Sequence, residues 1–224
     1  MNTGPKTIRH HLDDGLLTAY AAGALPEAFS VVVATHLSMC DDCRARAEAL
    51  DGVGGALIDA QAEAALAPDA LAAVMARLDA DADTDADTRD TGRTEVRGGV
   101  LPAPLRDYVG GDLDAVRWRS VGMGVRQAVL NTGGAGSVRL LSIPPGAAMP
   151  DHSHRGLELT LVLQGAFEDD GTRFGPGDVE IADDEVDHTP IADIGETCIC
   201  LAATEGKLRF RGWLPRLAQP FVGI

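Results

Sequence analysis

The chain has 224 residues, enough for one or two domains that each bury a core, with 45% hydrophobic and 24% charged residues. A formal charge of −15 argues against nucleic acid as a direct partner, since phosphate binding depends on Lys and Arg, and it suits a basic protein partner. No apolar run approaches the ~20 residues of a membrane span, the opening MNTGPKTIRHHLDD has no signal-like apolar core, and the four cysteines lie as CxxC and CxC pairs. The expectation is a cytoplasmic protein with reduced thiols, unattached to a membrane.

Residues 1 to about 80 read as four helices. Asp13 or Asp14 can cap a first helix, DGLLTAYAAGAL, which Gly23 and Pro26 end. Pro26 suits the first position of a second, PEAFSVVVATHLSM, with Glu27 near its positive end. A third starts near Cys43 and frays at Gly52, Gly54 and Gly55. The fourth, PDALAAVMARLDA, carries Leu71, Val74, Met75 and Leu78 as one apolar stripe. The composition then shifts. Asp recurs at every second position from Asp79 to Asp87 and large apolar residues almost vanish, so residues 81–104 read as an acidic flexible linker. From Leu105 onward, short strand-like runs (VRQAVLNT, SVRLLSIP, LELTLVLQGAFED, DVEIAD, ETCICLAA, KLRFRGWL) alternate with Gly, Pro and Asp turns, the pattern of an antiparallel sandwich or barrel. The fold class is α+β: a four-helix domain over 1–80, the linker, and a β-barrel over 105–224.

Each half carries a set of metal-ligand residues. His36 and Cys40 are i and i+4 on one helix face, and Cys43 follows at or near the next helix start, where exposed amides favour a thiolate. These three lack only a fourth ligand for a tetrahedral zinc site, with His10 and His11 as candidates. A redox dithiol is disfavoured because the surroundings are helical. In the second half, His152 and His154 share a strand face, Glu158 follows a turn, Gly146 and Gly165 supply turns at either end, and His188 comes from a later hairpin. Three imidazoles and a carboxylate suit zinc, manganese, iron or nickel. Cys198 and Cys200 read as small core residues on one strand face.

TIRHHLDDGLLTAYAAGALPEAF followed by ATHLSMCDDCRARA resembles the zinc-binding anti-sigma domain family, which implies His11, His36, Cys40 and Cys43 as zinc ligands. GAAMPDHSHRGLELTLVLQG matches the cupin pattern G-x5-H-x-H-x3-E-x6-G, which implies a barrel with His152, His154, Glu158 and His188 as ligands. The second cupin motif keeps Gly177, Asp178 and His188 but has Asp183 and Glu185 where Pro and Gly are usual, and Ala192 for a late Asn, so a particular cupin enzyme chemistry is not inherited. The joined architecture is similar to the ChrR family of anti-sigma factors. The resemblance implies a non-enzymatic regulator that inhibits an extracytoplasmic-function-type (SigE-like) sigma factor and releases it under singlet oxygen or related oxidative stress, with the cupin as sensor. The rival is a metal-dependent cupin dioxygenase or isomerase with a helical regulatory domain, for which Arg126, Gln127 and Arg139 are the polar strand residues available to a substrate. Leu16, Leu17, Tyr20 and Leu71 to Leu78 are the apolar faces expected to meet a partner.

Overall fold

The computed structural model describes residues 7–84, 99–149, 152–153, 156–183, 189–205 and 209–210. They fall into two compact units, one spanning 1–54 and 99–224 and the other 55–98. Among the described residues there are five helices and eleven strands.

Helix α1 (Asp14–Ala21) is capped by Asp13, whose carboxylate accepts from the Leu16 amide at 2.7 Å. Gly23, at φ +65°, ends it. Helix α2 (Glu27–Leu37) follows Pro26 and contains Val31, Val32 and Val33 in sequence, poor helix formers that are all buried. Packing on nearly every side, not propensity, holds this helix. Helix α3 (Asp41–Asp59) continues through Gly52, Gly54 and Gly55, where fraying was expected. Helix α4 (Ala70–Thr84) matches the fourth expected helix. A fifth, α5 (Ala103–Val109), stands where strand grammar was expected to begin. Pro102 at its N-cap and Gly110 in the left-handed region at its end are the local signals that define it.

Among the described residues the strands do not close into one barrel. Strands β1 (Arg119–Gly122), β2 (Val125–Leu130), β3 (Ser137–Ile143), β5 (Glu158–Gln164), β8 (Val179–Ala182) and β10 (Cys198–Thr204) form a six-stranded antiparallel sheet in the order β1-β2-β3-β10-β5-β8. A second sheet has the order β7-β6-β9, from β6 (Phe167–Asp169), β7 (Thr172–Phe174) and β9 (Ile191–Ala192), and β4 (His152–Ser153) pairs with β11 (Arg209–Phe210). Central strands β5 and β10 are buried on both faces. On one face, Leu159, Leu161, Leu163, Ile199, Leu201 and Ala203 join a core with Leu17, Phe29, Val32 and Leu105 of the helices. On the other, Val162, Cys198 and Cys200 pack with Ile143, Phe167 and Phe174. The long helix-facing core places α1, α2 and the start of α3 against the sheet, and this contact positions the site described next.

Candidate metal centre

His36 lies in the last turn of α2, Cys40 in the link to α3, and Cys43 in the first turn of α3. His11 arrives from the extended segment ahead of α1. One ligand atom from each of these four residues lies within 4.8 Å of every other. His11 Nδ1 is 3.3 Å from Cys40 Sγ and 3.5 Å from Cys43 Sγ. The backbone amide of Cys43 donates to Cys40 Sγ at 3.5 Å, as expected where a helix start faces a sulfur. His36 and both cysteines are buried and His11 is partly so.

The orientation of His36 is decided by its far nitrogen. Nδ1 is 2.9 Å from the carbonyl oxygen of Gly177, which can only accept, so Nδ1 carries the proton and Nε2 presents a lone pair. That Nε2 is buried without a hydrogen-bond partner. A buried, unpartnered imidazole nitrogen beside two thiols and a second imidazole fits a tetrahedral N2S2 metal site such as that of zinc. Burial pushes the His36 pKa down to about 4, which keeps the ring neutral and ligand-competent. Burial raises the Cys43 thiol, opposed by the Leu12 amide and by Arg46, so a metal binding here displaces a proton. Arg46 was not singled out in the sequence. Its guanidinium donates to the Leu12 carbonyl at 3.1 Å and to the Asp14 carboxylate, tying the His11 segment to α3. His10 points elsewhere, its ring 4.5 Å from that of Phe174.

In the cupin-like half, Glu158 opens β5 on the face shared with Thr160 and Val162, is buried, and accepts from the Thr160 hydroxyl at 3.2 Å. His152 starts β4 in register with Phe210. His154 and His188 lie outside the described residues, and so do Asp184 to Asp187. Gly146 and Gly165 adopt the positive φ their motif positions imply, at +72° and +68°. A Cβ on Gly165 would sit 2.8 Å from the Thr197 carbonyl oxygen. Cys198 and Cys200 are buried core thiols, 3.3 Å apart at sulfur, and Cys200 is raised well above its ordinary range by the neighbouring thiol and by burial. The strand residues considered for a substrate are otherwise engaged: Arg139 donates to Gln127 at 3.4 Å and to Ser137 at 2.9 Å, and Arg126 lies over Trp118.

Of the apolar faces expected to meet a partner, Leu16 and Leu17 are buried within the core. Leu71, Val74, Met75 and Leu78 on α4 are each more than half exposed, as are Val53, Leu57 and Ile58 on α3.

A family profile described as the ChrR cupin-like domain matches residues 107–207. The anti-sigma-E factor ChrR of Cereibacter sphaeroides is 62% identical over 218 residues, covering 97% of this chain and all of that protein. The crystal structure of Rhodobacter sphaeroides SigE in complex with the anti-sigma ChrR contains a chain 60% identical to this one, with a TM-score of 0.77 over 88% of this chain and 99% of that chain.

Proposed function

This chain belongs to the ChrR family of anti-sigma factors, and from that premise we propose that it sequesters a SigE-like sigma factor through its N-terminal helices and frees it on an oxidative signal received by its cupin half. It is a regulator and not an enzyme. The observation that carries the anti-sigma reading is the 62% identity along essentially the whole chain to a protein with that role.

The functional division follows 1–80 for the sigma-binding helices, 81–104 for the linker and 105–224 for the sensor. Zinc held by His11, His36, Cys40 and Cys43 is structural in this reading. When bound, the ion cross-links the segment before α1 to the junction of α2 and α3. The apolar stripe of Leu71, Val74, Met75 and Leu78 is the docking surface, because solvent-facing apolar side chains at helical spacing suit a groove on a partner. In the sensor, His152, His154, Glu158 and His188 hold a divalent transition metal, and singlet oxygen or an oxidant derived from it acts there. The signal must favour the sigma-free state by a difference in interaction free energy, since a ligand indifferent to the two states shifts nothing. No described helix is long and apolar enough to cross a membrane, consistent with a cytoplasmic site of action beside RNA polymerase.

Co-expression of the full chain with the SigE-like factor encoded nearest to it tests this reading. The two are expected to co-purify, to block transcription from the sigma factor's promoters, and to separate after illumination with a photosensitiser. Failure to co-purify sinks the anti-sigma reading, whereas co-purification that light leaves intact sinks only the oxidant reading.

A further inference from the structure

Two groups on one short turn, Gly175–Asp178 between β7 and β8, reach the metal centre from the cupin side. The Gly177 carbonyl accepts from His36 Nδ1 at 2.9 Å. The Asp178 carboxylate accepts from the backbone amides of Arg9 at 2.6 Å and His10 at 3.0 Å, and from Gly175 at 2.8 Å within its own turn. The Val179 amide then donates to the His10 carbonyl at 3.1 Å, so the residue just before His11 is also held at the start of β8. Ile8 packs so closely on Gly177 that an added Cβ there would lie 2.5 Å from it.

We propose that this turn is the outer shell of the His/Cys metal site, with the Gly177 carbonyl and the Asp178 carboxylate as positioning groups for His36 and His11. The proposal rests on the reading that those four residues hold zinc. The Gly177 carbonyl selects the tautomer in which Nε2 is the ligand atom, and Asp178 fixes the two amides that precede His11. Two of the four ligands therefore owe their placement to the sensor half, although all four lie within the first 43 residues of the chain. Outer-shell partners of metal-binding histidines are commonly worth about 10- to 100-fold in metal affinity.

The test uses the full chain and follows zinc transfer to a chromophoric chelator, together with the thiolate-to-metal charge-transfer band of the cobalt-loaded protein. The fraction of each signal removed by Cys43→Ser defines the N-terminal site. Asp178→Ala is expected to speed zinc release from that site about 10- to 100-fold and to alter the cobalt band. Asp178→Asn, which keeps one oxygen for the Arg9 and His10 amides, is expected to fall between Asp178→Ala and wild type. Phe167→Leu thins the core between the sheets without touching the site and serves as the control for lost stability. It should leave release within about two-fold of wild type. Wild-type release from Asp178→Ala, or equal acceleration by Phe167→Leu at matched loss of stability, overturns the proposal. A wild-type chain whose zinc and cobalt signals are unaffected by Cys43→Ser overturns the zinc reading and the proposal together.

Discussion

His36 donates from Nδ1 to the carbonyl oxygen of Gly177, 141 residues later in the chain, at 2.9 Å. A histidine in the last turn of α2 is thus oriented by a turn between strands, and its other nitrogen is left buried and free to bind a metal. The helices and the sheet share this contact because α2 is apolar nearly all round and needs cover on the side away from α1.

Gly177 is constrained on two grounds, its φ of +94° and the Ile8 side chain in the space a Cβ would take. Gly177→Ala is expected to cost about 2 kcal/mol, from backbone strain and overpacking together. Ile8→Ala added to it should restore only the packing part. Thermal or urea unfolding of the double-mutant cycle checks this, and full restoration would show that the backbone conformation carries no cost.

The two adjacent histidines are expected to behave differently. His11→Ala should lower the zinc content by one ion per chain and weaken sigma binding, whereas His10→Ala should keep the ion. Metal analysis of purified variants decides between them. Loss of zinc from His10→Ala with retention in His11→Ala would reverse the assignment.

Solvent-facing and core apolar residues should separate binding from folding. Met75→Asp on exposed α4 is expected to leave the unfolding midpoint nearly unchanged while weakening the sigma complex by about 2 kcal/mol or more, as for a hot-spot residue. Leu17→Ala, by contrast, should cost about 2–5 kcal/mol of stability, because it opens a cavity in the core shared with the sheet. Titration calorimetry and chemical unfolding of the two variants provide the comparison. Undiminished sigma affinity in Met75→Asp would exclude the α4 stripe as the docking surface.

Glu180 gives the protein a pH dependence. Burial, reinforced by the Asp169 carboxyl beside it, pushes its pKa up to about 9 from an ordinary 4.5. The folded chain therefore holds a proton that the unfolded chain releases. The stability this proton contributes is complete below about pH 4.5 and is lost as pH rises toward 9. Glu180→Gln keeps the shape and a donor toward Asp169 without ionising. Its unfolding temperature should match wild type below about pH 4.5 and exceed it increasingly as the pH rises from there toward 9, the range set by that shift, at equal metal content. Parallel curves would refute the buried-acid account.

Local chemistry was legible in the sequence alone. An aspartate cap on α1 (Asp13 or Asp14 by sequence, Asp13 in the structure), Gly23 ending it, the α4 stripe, and Gly146 and Gly165 in left-handed turns all depend on neighbours a few residues away, whereas Cys40, read as sharing a helix face with His36, lies in the link beyond the end of α2. Helix α5 was signalled by Pro102 and Gly110 but was obscured by the strand-like segments that follow it, and α3 runs through three glycines without a break. The rest required the tertiary structure. No spacing shows that Leu16 and Leu17 are covered, that the described strands form separate sheets instead of one closed barrel, or that Asp178 meets the amides of Arg9 and His10. The physical reason is that side-chain period and capping are short-range properties. By contrast, the partner of a buried donor is chosen by which surfaces must be hidden from water, and here α2 is hidden against one face of β5 and β10 while the smaller sheet of β6, β7 and β9 covers the other.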